Sequence, residues 1–244
     1  AEENRVTILP VDSEHAAIFQ CLEGRPANSV KKLILTASGG PFLDSPADLS
    51  TVTVAEALNH PRWKMGPKVT VDSSTMMNKG FEVIEAKWLF GVRPDQIEVV
   101  VHPQSVIHSM VQYEDGAVKA QLGMPDMRLP IQYAFSYPQR IKASFDRLDF
   151  SKMTELTFEQ PDTNRFRCLA LAYEALHQGG NMACIVNAAN EVVVSAFLKD
   201  RIPFLRMSEV IEQSMTKVSF IQTPTYEDYV ATDAEARRVA ESLI

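Results

Sequence analysis

The chain has 244 residues, of which 45% are hydrophobic and 23% charged, and its formal net charge at pH 7 is −7. This length can bury a sizeable core, and the composition is that of a globular protein. The acidic balance argues against a general nucleic-acid surface, which needs clustered basic residues, but not against a small anionic substrate. The sequence has no run of about 18 apolar residues and therefore predicts no membrane span.

Cysteine usage and the first residues bear on the cellular compartment. Cys21, Cys168 and Cys184 are widely spaced and form no C-x-x-C pair, so we expect reduced thiols. The segment Ala1–Arg5 resembles neither a signal peptide nor a transit peptide. Together with the acidic charge, these features favour a bacterial cytoplasm and leave a plastid open.

Apolar β-type runs alternate with helical stretches through the first half of the chain. The predicted strands are Val6–Val11, Leu33–Thr36, Val69–Val71 and Ile97–Val101, and the predicted helices are Ala16–Leu22 and Lys79–Phe90. Asp115-Gly116 predicts a hairpin turn between Met110–Glu114 and Ala117–Leu122, which adds antiparallel pairing. The expected fold class is therefore α/β (α+β), with a mixed sheet and covering helices.

Helical periodicity dominates the second half. We expect a short helix near residues 127–137 and a proline-punctuated linker after it. Four further helices are predicted over Cys168–Leu176, Asn187–Leu198, Ser208–Val218 and Tyr226–Ile244. The predicted organisation is a sheet-containing domain over 1–136, a linker over 137–163 and a four-helix domain over 164–244.

Asp12 and Glu14 are two carboxylates separated by one serine at the end of an apolar run. An extended chain would place both on the same side. Crowded carboxylates favour Mg²⁺ or Mn²⁺, which prefer oxygen ligands. The alternative is that Asp12 or Ser13 simply caps the following helix.

The segment from Asp72 to Glu82 joins hydroxyl residues, an amide, a lysine and a carboxylate. If it follows a strand and opens a helix, its backbone N–H groups, Ser73, Asn78 and Lys79 could hold an anion. Glu82 could join Asp12 and Glu14 as a third metal ligand. The apolar residues expected to face the core are Met77, Phe81, Ile84 and Trp88. The alternative is an ordinary amphipathic helix with a serine cap.

Three further loops offer polar groups. Ser38 precedes Gly39-Gly40, which permits close backbone approach to a phosphate or forms a plain turn. The loop from His60 to Gly66 combines an imidazole with Trp63 and Met65 and could close over a ligand. His102 and His108 follow the fourth predicted strand, Ile97–Val101, and His108 could lie close to the site. The alternative is that either imidazole is a hydrogen-bonded structural group.

These motifs, in this order, resemble the 1-deoxy-D-xylulose 5-phosphate reductoisomerase family over essentially the whole chain. The resemblance is carried by Val11-Asp-Ser-Glu-His15, Ser38-Gly-Gly-Pro-Phe42, His60-Pro-x-Trp-x-Met-Gly66, Val71-Asp-Ser-x-Thr-Met-Met-Asn-Lys-Gly-x-Glu82, His102-Pro-Gln-Ser-Val-Ile-His-Ser109, Gln121-Leu-Gly-x-Pro-Asp-Met127 and Asn187-Ala-Ala-Asn-Glu191.

The resemblance implies a role for each matched residue. Asp12, Glu14 and Glu82 would bind Mg²⁺ or Mn²⁺, and Glu14 and Glu82 would also be catalytic. The substrate would contact Ser13, Glu14, Ser38, His60, Ser73, Asn78, Lys79 and Glu82. Trp63 and Met65 would form a lid, and Gly66 would touch NADPH. His15, Glu85 and His108 would contact the residues that bind the metal and the substrate.

The implied reaction converts 1-deoxy-D-xylulose 5-phosphate to 2-C-methyl-D-erythritol 4-phosphate with NADPH and a divalent metal, in non-mevalonate isoprenoid biosynthesis. The hairpin at Asp115-Gly116 offers a sheet edge that could pair across a two-fold axis, which predicts a homodimer. The family's glycine-rich NADPH fingerprint is missing from these 244 residues. We therefore expect an upstream NADPH-binding domain to be lacking, and the chain alone to be incompetent for reduction.

Two alternatives remain open from the residues. One is a metal-dependent sugar-phosphate aldolase or isomerase, which needs no nicotinamide. The other is a non-catalytic dimerisation module whose carboxylates only cap helices.

Overall fold

The computed structural model describes residues 1, 3–24, 29–44 and 48–244. They form two compact units that interleave along the chain. The sheet unit comprises Ala1–Ser38 and Leu89–Gln160, and the helical unit comprises Gly39–Trp88 and Pro161–Ile244. The domain bounds 1–136, 137–163 and 164–244 stay a prediction. Within the described part of the chain, none of the helices combines the length and apolarity needed to cross a membrane.

The sheet unit contains a mixed sheet whose order across the described residues is β2-β1-β3-β4. The strands are β1 (Val30–Ala37), β2 (Ile97–Val101), β3 (Ile107–Tyr113) and β4 (Val118–Leu122). β1 pairs in parallel with β2, with Leu35 opposite Val99, and antiparallel with β3, with Leu33 opposite Val111. β3 pairs antiparallel with β4. The predicted mixed sheet is confirmed.

The hairpin between β3 and β4 turns at the predicted residues. Gly116 has φ 89°, a left-handed conformation that glycine adopts at little cost. The Ala117 amide donates to Asp115 Oδ1 at 2.9 Å, and the Tyr113 amide donates to the Ala117 carbonyl at 2.8 Å. These bonds fix the register of β4, where Val118, Lys119 and Ala120 are exposed.

Two helices of the sheet unit cover the sheet: α1 (Ser13–Leu22), which packs on β3 and β4, and α5 (Arg128–Ser136), which contacts α1. Ala17 and Ile18 of α1 are fully buried. The Tyr113 hydroxyl of β3 donates to the Cys21 carbonyl at 2.5 Å, which ties the end of α1 to the sheet. Both predicted helices are confirmed.

Two predicted strands are wrong. Val6–Val11 forms no strand, and Val6, Ile8 and Val11 are exposed. Apolar residues alone do not make a strand, because the backbone needs a pairing partner. Val69–Val71 lies inside helix α3 (Pro67–Ser74). Gly66 caps that helix and Pro67 occupies its first turn, a start signal that outweighs two β-branched valines.

The helical unit is built around α7 (Met182–Phe197), which contacts α3, α6, α8 and α9. Its other described helices are α2 (Val54–Ala57), α3, α4 (Met77–Phe90, through Trp88), α6 (Arg167–Gln178), α8 (Phe204–Lys217) and α9 (Tyr226–Ser242). Short 3-10 helices occur at Leu49–Thr51 here and at Pro94–Gln96 in the sheet unit. The four helices predicted after residue 164 are confirmed.

The three cysteines are free thiols, as expected. Cys21 and Cys168 are buried, and Cys184 is half-buried. Burial raises the pKa of Cys21 to about 11 and that of Cys168 to about 12.

Candidate metal and phosphate site

In the sheet unit, Asp12 is the N-cap of α1, so the predicted strand end is instead a helix start. Its Oδ1 accepts from the Glu14 amide at 3.1 Å and from the His15 amide at 3.4 Å. The Ser13 hydroxyl donates to Glu14 Oε2 at 2.5 Å. The capping interpretation is therefore confirmed, and it is compatible with cation binding because a carboxylate offers two oxygens and several lone pairs.

The first turn of α1 also places an imidazole and free backbone N–H groups beside these carboxylates. His15 is buried, and its Nδ1 lies 3.4 Å from Asp12 Oδ1. Asp12 and Glu14 are only partly buried. The amino end of α1 adds the favourable dipole of its free N–H groups to these two negative charges. This end of α1 can therefore carry two carboxylates close together without burying either.

In the helical unit, Glu82 of α4 is a buried carboxylate with a donor on each oxygen. Lys79 Nζ lies 2.5 Å from its Oε2, and Asn78 Nδ2 donates to its Oε1 at 2.6 Å. Lys79 is also buried. Spacings of three and four residues place all three side chains on one face of the helix. Burying the Lys79–Glu82 ion pair costs desolvation free energy unless both charged groups are hydrogen-bonded. Such buried, paired charges are typical of functional sites, so this face of α4 is a candidate site.

Ser73 lies near the end of α3, just before a tight turn into α4. Met76, in that turn, has φ 60°, a left-handed conformation that is uncommon for a non-glycine residue. The Met76 amide donates to the Ser73 carbonyl at 3.2 Å. The segment predicted to bind an anion is thus helix–turn–helix, not strand–helix. The predicted strand context of Ser73, Asn78 and Lys79 is wrong, and anion binding stays a prediction.

Gly40, the second glycine after Ser38, lies against the backbone of Ser73. Gly40 has φ 68°, and a Cβ there would lie 2.7 Å from the Ser73 carbonyl oxygen. Only glycine allows this approach. The close approach that Gly40 permits is therefore to the Ser73 backbone, and approach to a phosphate stays a prediction. Ser38 itself is half-buried directly after β1.

The loop from His60 to Gly66 is held by its own imidazole. His60 Nδ1 accepts from the Arg62 amide at 3.1 Å and from the Trp63 amide at 2.9 Å. Partial burial lowers the pKa of His60, which favours the neutral ring that accepts these bonds. Trp63 and Met65 are half-buried, and Gly66 caps α3.

Other predicted positions show mixed outcomes. Trp88 was expected to face the core, but it is 71% exposed, because the buried residues of α4 end at Ala86 and its last turn lies at the surface. Glu85 is exposed on α4. His108 is buried in β3, where its carbonyl accepts from Thr36 Oγ1 at 2.8 Å. His102, an alternative to His108 at this strand end, is structural: its Nδ1 lies 2.9 Å from the Thr157 carbonyl and its ring stacks on Phe158.

A buried polar group beside Ser73 was not singled out from the sequence. Asp72 Oδ2 lies 2.7 Å from Lys68 Nζ, and Asn190 Nδ2 donates to Asp72 Oδ1 at 2.8 Å. The i,i+4 spacing of Lys68 and Asp72 could have suggested their pairing if the segment had been predicted as a helix. Asn190 could not have been found in this way, because it is 118 residues away.

Two family models match the chain. One, described as the DXP reductoisomerase C-terminal domain, matches residues 122–239, and the other, the 1-deoxy-D-xylulose 5-phosphate reductoisomerase C-terminal domain, matches residues 8–90. A protein of that name from Bacteroides fragilis is 74% identical over 245 residues, covering 100% of this chain and 63% of the relative. One from Thermoanaerobacter pseudethanolicus is 58% identical, covering 95% and 61%.

Solved structures agree with these matches. The enzyme from Zymomonas mobilis in complex with NADPH has a TM-score of 0.91 at 45% identity and covers 99% of this chain and 63% of its own. A DOX-P reductoisomerase in complex with NADPH, fosmidomycin and magnesium has a TM-score of 0.90 at 41% identity, with coverage of 100% and 64%.

The mixed sheet and its covering helices define the class as an α/β protein, with a fold that matches solved reductoisomerase structures. The chain belongs to the 1-deoxy-D-xylulose 5-phosphate reductoisomerase family. It spans about 63% of the length of the curated relatives that it matches.

Proposed function

We propose that this chain provides the metal-binding and sugar-phosphate-binding part of an NADPH-dependent reductoisomerase that converts 1-deoxy-D-xylulose 5-phosphate to 2-C-methyl-D-erythritol 4-phosphate. The observation that carries the proposal is the buried Lys79–Glu82 pair of α4, with half-buried Asn78 donating to the same carboxylate, in a chain of this family. An ordinary amphipathic helix would not bury a lysine and a glutamate on its polar face.

The proposed metal ligands are Asp12 and Glu14 of the sheet unit and Glu82 of the helical unit. The donor set consists of carboxylate oxygens, which fit Mg²⁺ or Mn²⁺ and disfavour soft metals. Magnesium is present in complexes of the structural neighbours. When bound, such an ion stabilises negative charge that develops on the substrate's carbonyl and hydroxyl oxygens.

The phosphate is proposed to bind at the α3–α4 turn. Ser73 and Asn78 supply a hydroxyl and an amide, and Lys79 supplies positive charge from the amino end of α4. His60 would reach the phosphate from the loop, and Ser38 would add a second hydroxyl. Ser13, whose hydroxyl now donates to Glu14, would turn to the oxygen-rich head of the substrate.

The remaining proposed roles belong to the loop and to the groups behind the site. Trp63 and Met65 would exclude water when the loop closes as a lid. Gly66, exposed at the start of α3, would leave room for NADPH, which the neighbours bind. His15, Glu85 and His108 would orient the ligands and the substrate from the second layer.

The reaction requires cleavage and re-formation of a carbon–carbon bond, followed by hydride transfer from NADPH to an aldehyde. Glu14 and Glu82 are proposed to move protons between substrate hydroxyls and their own carboxylate oxygens. Lys79 would keep Glu82 oriented and offset its charge while the phosphate is bound. Loop closure would protect the reactive intermediate from water.

The metal assignment is tested by calorimetric titration of the chain with Mn²⁺. Glu14→Gln and Glu82→Gln should each weaken binding by at least about tenfold, because each replaces an anionic ligand by a neutral amide. Glu155→Gln, at an exposed position, is the matched control and should leave the affinity unchanged. Unchanged affinity in both test variants would favour a non-catalytic module.

We further propose a homodimer formed through the edge of β4. Val118, Lys119 and Ala120 are exposed there, and a two-fold axis could extend the sheet. Val118→Lys should shift the light-scattering mass toward the monomer, whereas Val230→Lys, at an exposed valine of α9, should not. A wild-type monomer at micromolar concentration would contradict the proposal.

The proposed location is the bacterial cytoplasm. The similar proteins come from bacteria, including Bacteroides fragilis and Thermoanaerobacter pseudethanolicus, and the cysteines are free. Fractionation of the native host should recover the protein with cytoplasmic markers. Recovery with envelope markers would contradict this placement.

A further inference from the structure

Asp72 is a carboxylate buried at the junction of two helices of the helical unit. It is 1% exposed, and its two oxygens have different partners. Oδ2 pairs with Lys68 at 2.7 Å, one turn earlier on α3, and Oδ1 accepts from Asn190 of α7 at 2.8 Å. Burial raises the pKa of Asp72, while Lys68 and Asn190 oppose that rise.

Lys68 is the link to the loop. It lies in the first turn of α3, two residues after Gly66, where the loop from His60 to Gly66 ends. Its side chain is 42% exposed, and its ammonium also lies 5.0 Å from the centre of the Phe81 ring on α4. Lys68 therefore holds the first turn of α3 against two fixed points, Asp72 and Phe81.

Asn190 is the link to the body of the unit. It is buried in α7, the helix that contacts α3, α6, α8 and α9. Its amide reaches Asp72 across the α3–α7 contact. The three side chains thus form a continuous chain of polar contacts from the loop's base to the central helix. Ser73, the proposed phosphate ligand, is the residue after Asp72.

We infer that Asp72 is a positioning residue, which fixes the hinge of the His60–Gly66 loop and the place of Ser73 by bridging Lys68 to Asn190. The importance of this role for catalysis rests on the proposed function. The claim that Asp72 holds the loop and Ser73 in place does not. A purely structural carboxylate would be replaceable by an amide that keeps the Asn190 contact. The inference requires the second carboxylate oxygen as well, because an amide has one accepting oxygen and cannot accept from both Asn190 and the Lys68 ammonium.

Trp63 allows the loop to be observed directly. The chain has two tryptophans, and Trp88 is largely exposed outside the loop. Trp88→Phe therefore leaves Trp63 as the only indole fluorophore. In this background, acrylamide quenching of Trp63 in the ligand-free protein measures how well the loop is held.

Asp72→Asn and Lys68→Met should each raise the Trp63 quenching constant by about twofold, since each releases the same anchor. The double variant should not exceed either single variant, because the two residues act through one contact. Lys199→Met, at an exposed lysine outside the loop, is the matched control and should leave quenching unchanged. If Asp72→Asn fails to fold, Lys68→Met, at a half-exposed position, decides the outcome.

A second measurement separates this inference from the proposed function. Inorganic phosphate should bind the single variants about tenfold more weakly than it binds the parent, with Mn²⁺ affinity unchanged. Wild-type-like quenching in folded Asp72→Asn and Lys68→Met would overturn the inference whatever phosphate does. Failure of the parent to bind phosphate would overturn the phosphate assignment, while the quenching result would still decide the role of Asp72.

Discussion

Gly80 of α4 gives a quantitative test of the packing that holds the proposed phosphate and metal residues in place. A Cβ at this position would lie 2.5 Å from the Cβ of Ala172 on α6. Carbon atoms in contact normally lie about 3.5–4.0 Å apart, so Gly80→Ala forces the helices apart by about 1 Å. Both atoms are attached directly to the backbone, and no rotamer change can relieve the clash.

The expected cost follows from two opposing effects. Overpacking of this kind destabilises by about 1–3 kcal/mol, whereas alanine is favoured over glycine inside a helix by about 1 kcal/mol. Gly80→Ala should therefore lower the free energy of unfolding by about 0–2 kcal/mol. Ala172→Gly should cost about 2 kcal/mol, through lost helix propensity and one lost buried methyl group.

The double variant exchanges the two residues across the contact. Its propensity terms cancel and the methyl group is restored, so its unfolding free energy should lie within about 0.5 kcal/mol of the wild type. Urea denaturation followed by circular dichroism measures all four stabilities. Ala196→Gly on α7, also buried, is the control: combined with Gly80→Ala, its effect should be additive. A Gly80→Ala variant that is more stable than the wild type by the full helix-propensity gain of about 1 kcal/mol, or an additive Gly80→Ala/Ala172→Gly pair, would refute the helix contact.

Three further predictions concern other parts of the chain. The lowered pKa of His60 means that folding favours its neutral ring, so the stability that this group contributes above pH about 6.5 is lost as the pH falls through the folded-state pKa. Trp63 quenching in the Trp88→Phe background should therefore rise as the pH falls over this range. Quenching that does not change with pH, or the same rise in His60→Gln, would contradict this prediction. At pH 8 iodoacetamide should label Cys184 before the buried Cys21 and Cys168, as read by peptide mass spectrometry, and equal rates in the folded protein would contradict their burial. These 244 residues should not oxidise NADPH in the presence of 1-deoxy-D-xylulose 5-phosphate and Mn²⁺, because they contain no glycine-rich dinucleotide fingerprint. Oxidation of NADPH at the rate of a full-length relative would contradict this expectation.

Periodicity predicted most of the regular structure. The hairpin at Asp115-Gly116 was placed correctly because its turn chemistry and alternating strands agree. The helices after residue 164 were found because each carries an apolar stripe at helical spacing. The two wrong strands, Val6–Val11 and Val69–Val71, were short apolar or β-branched runs, for which composition does not decide the conformation.

The sequence indicated which residues belong to the candidate site more reliably than it indicated their local conformation and contacts. Asp12 and Glu14 were expected on an extended chain, but they lie at the start of a helix, where the cap geometry is equally local. The pairing of Lys79 with Glu82 follows from helical spacing, although the burial of both does not. The contact between Asp72 and Asn190 depends on how α3 packs on α7, and no local pattern encodes it.

The most direct test of the central claim is a crystal structure of the chain grown with Mn²⁺, using anomalous scattering at the manganese edge. We expect one strong anomalous peak coordinated by carboxylate oxygens of Asp12, Glu14 and Glu82. A peak bound by other residues, or the absence of a peak beside these three at saturating Mn²⁺, would contradict it.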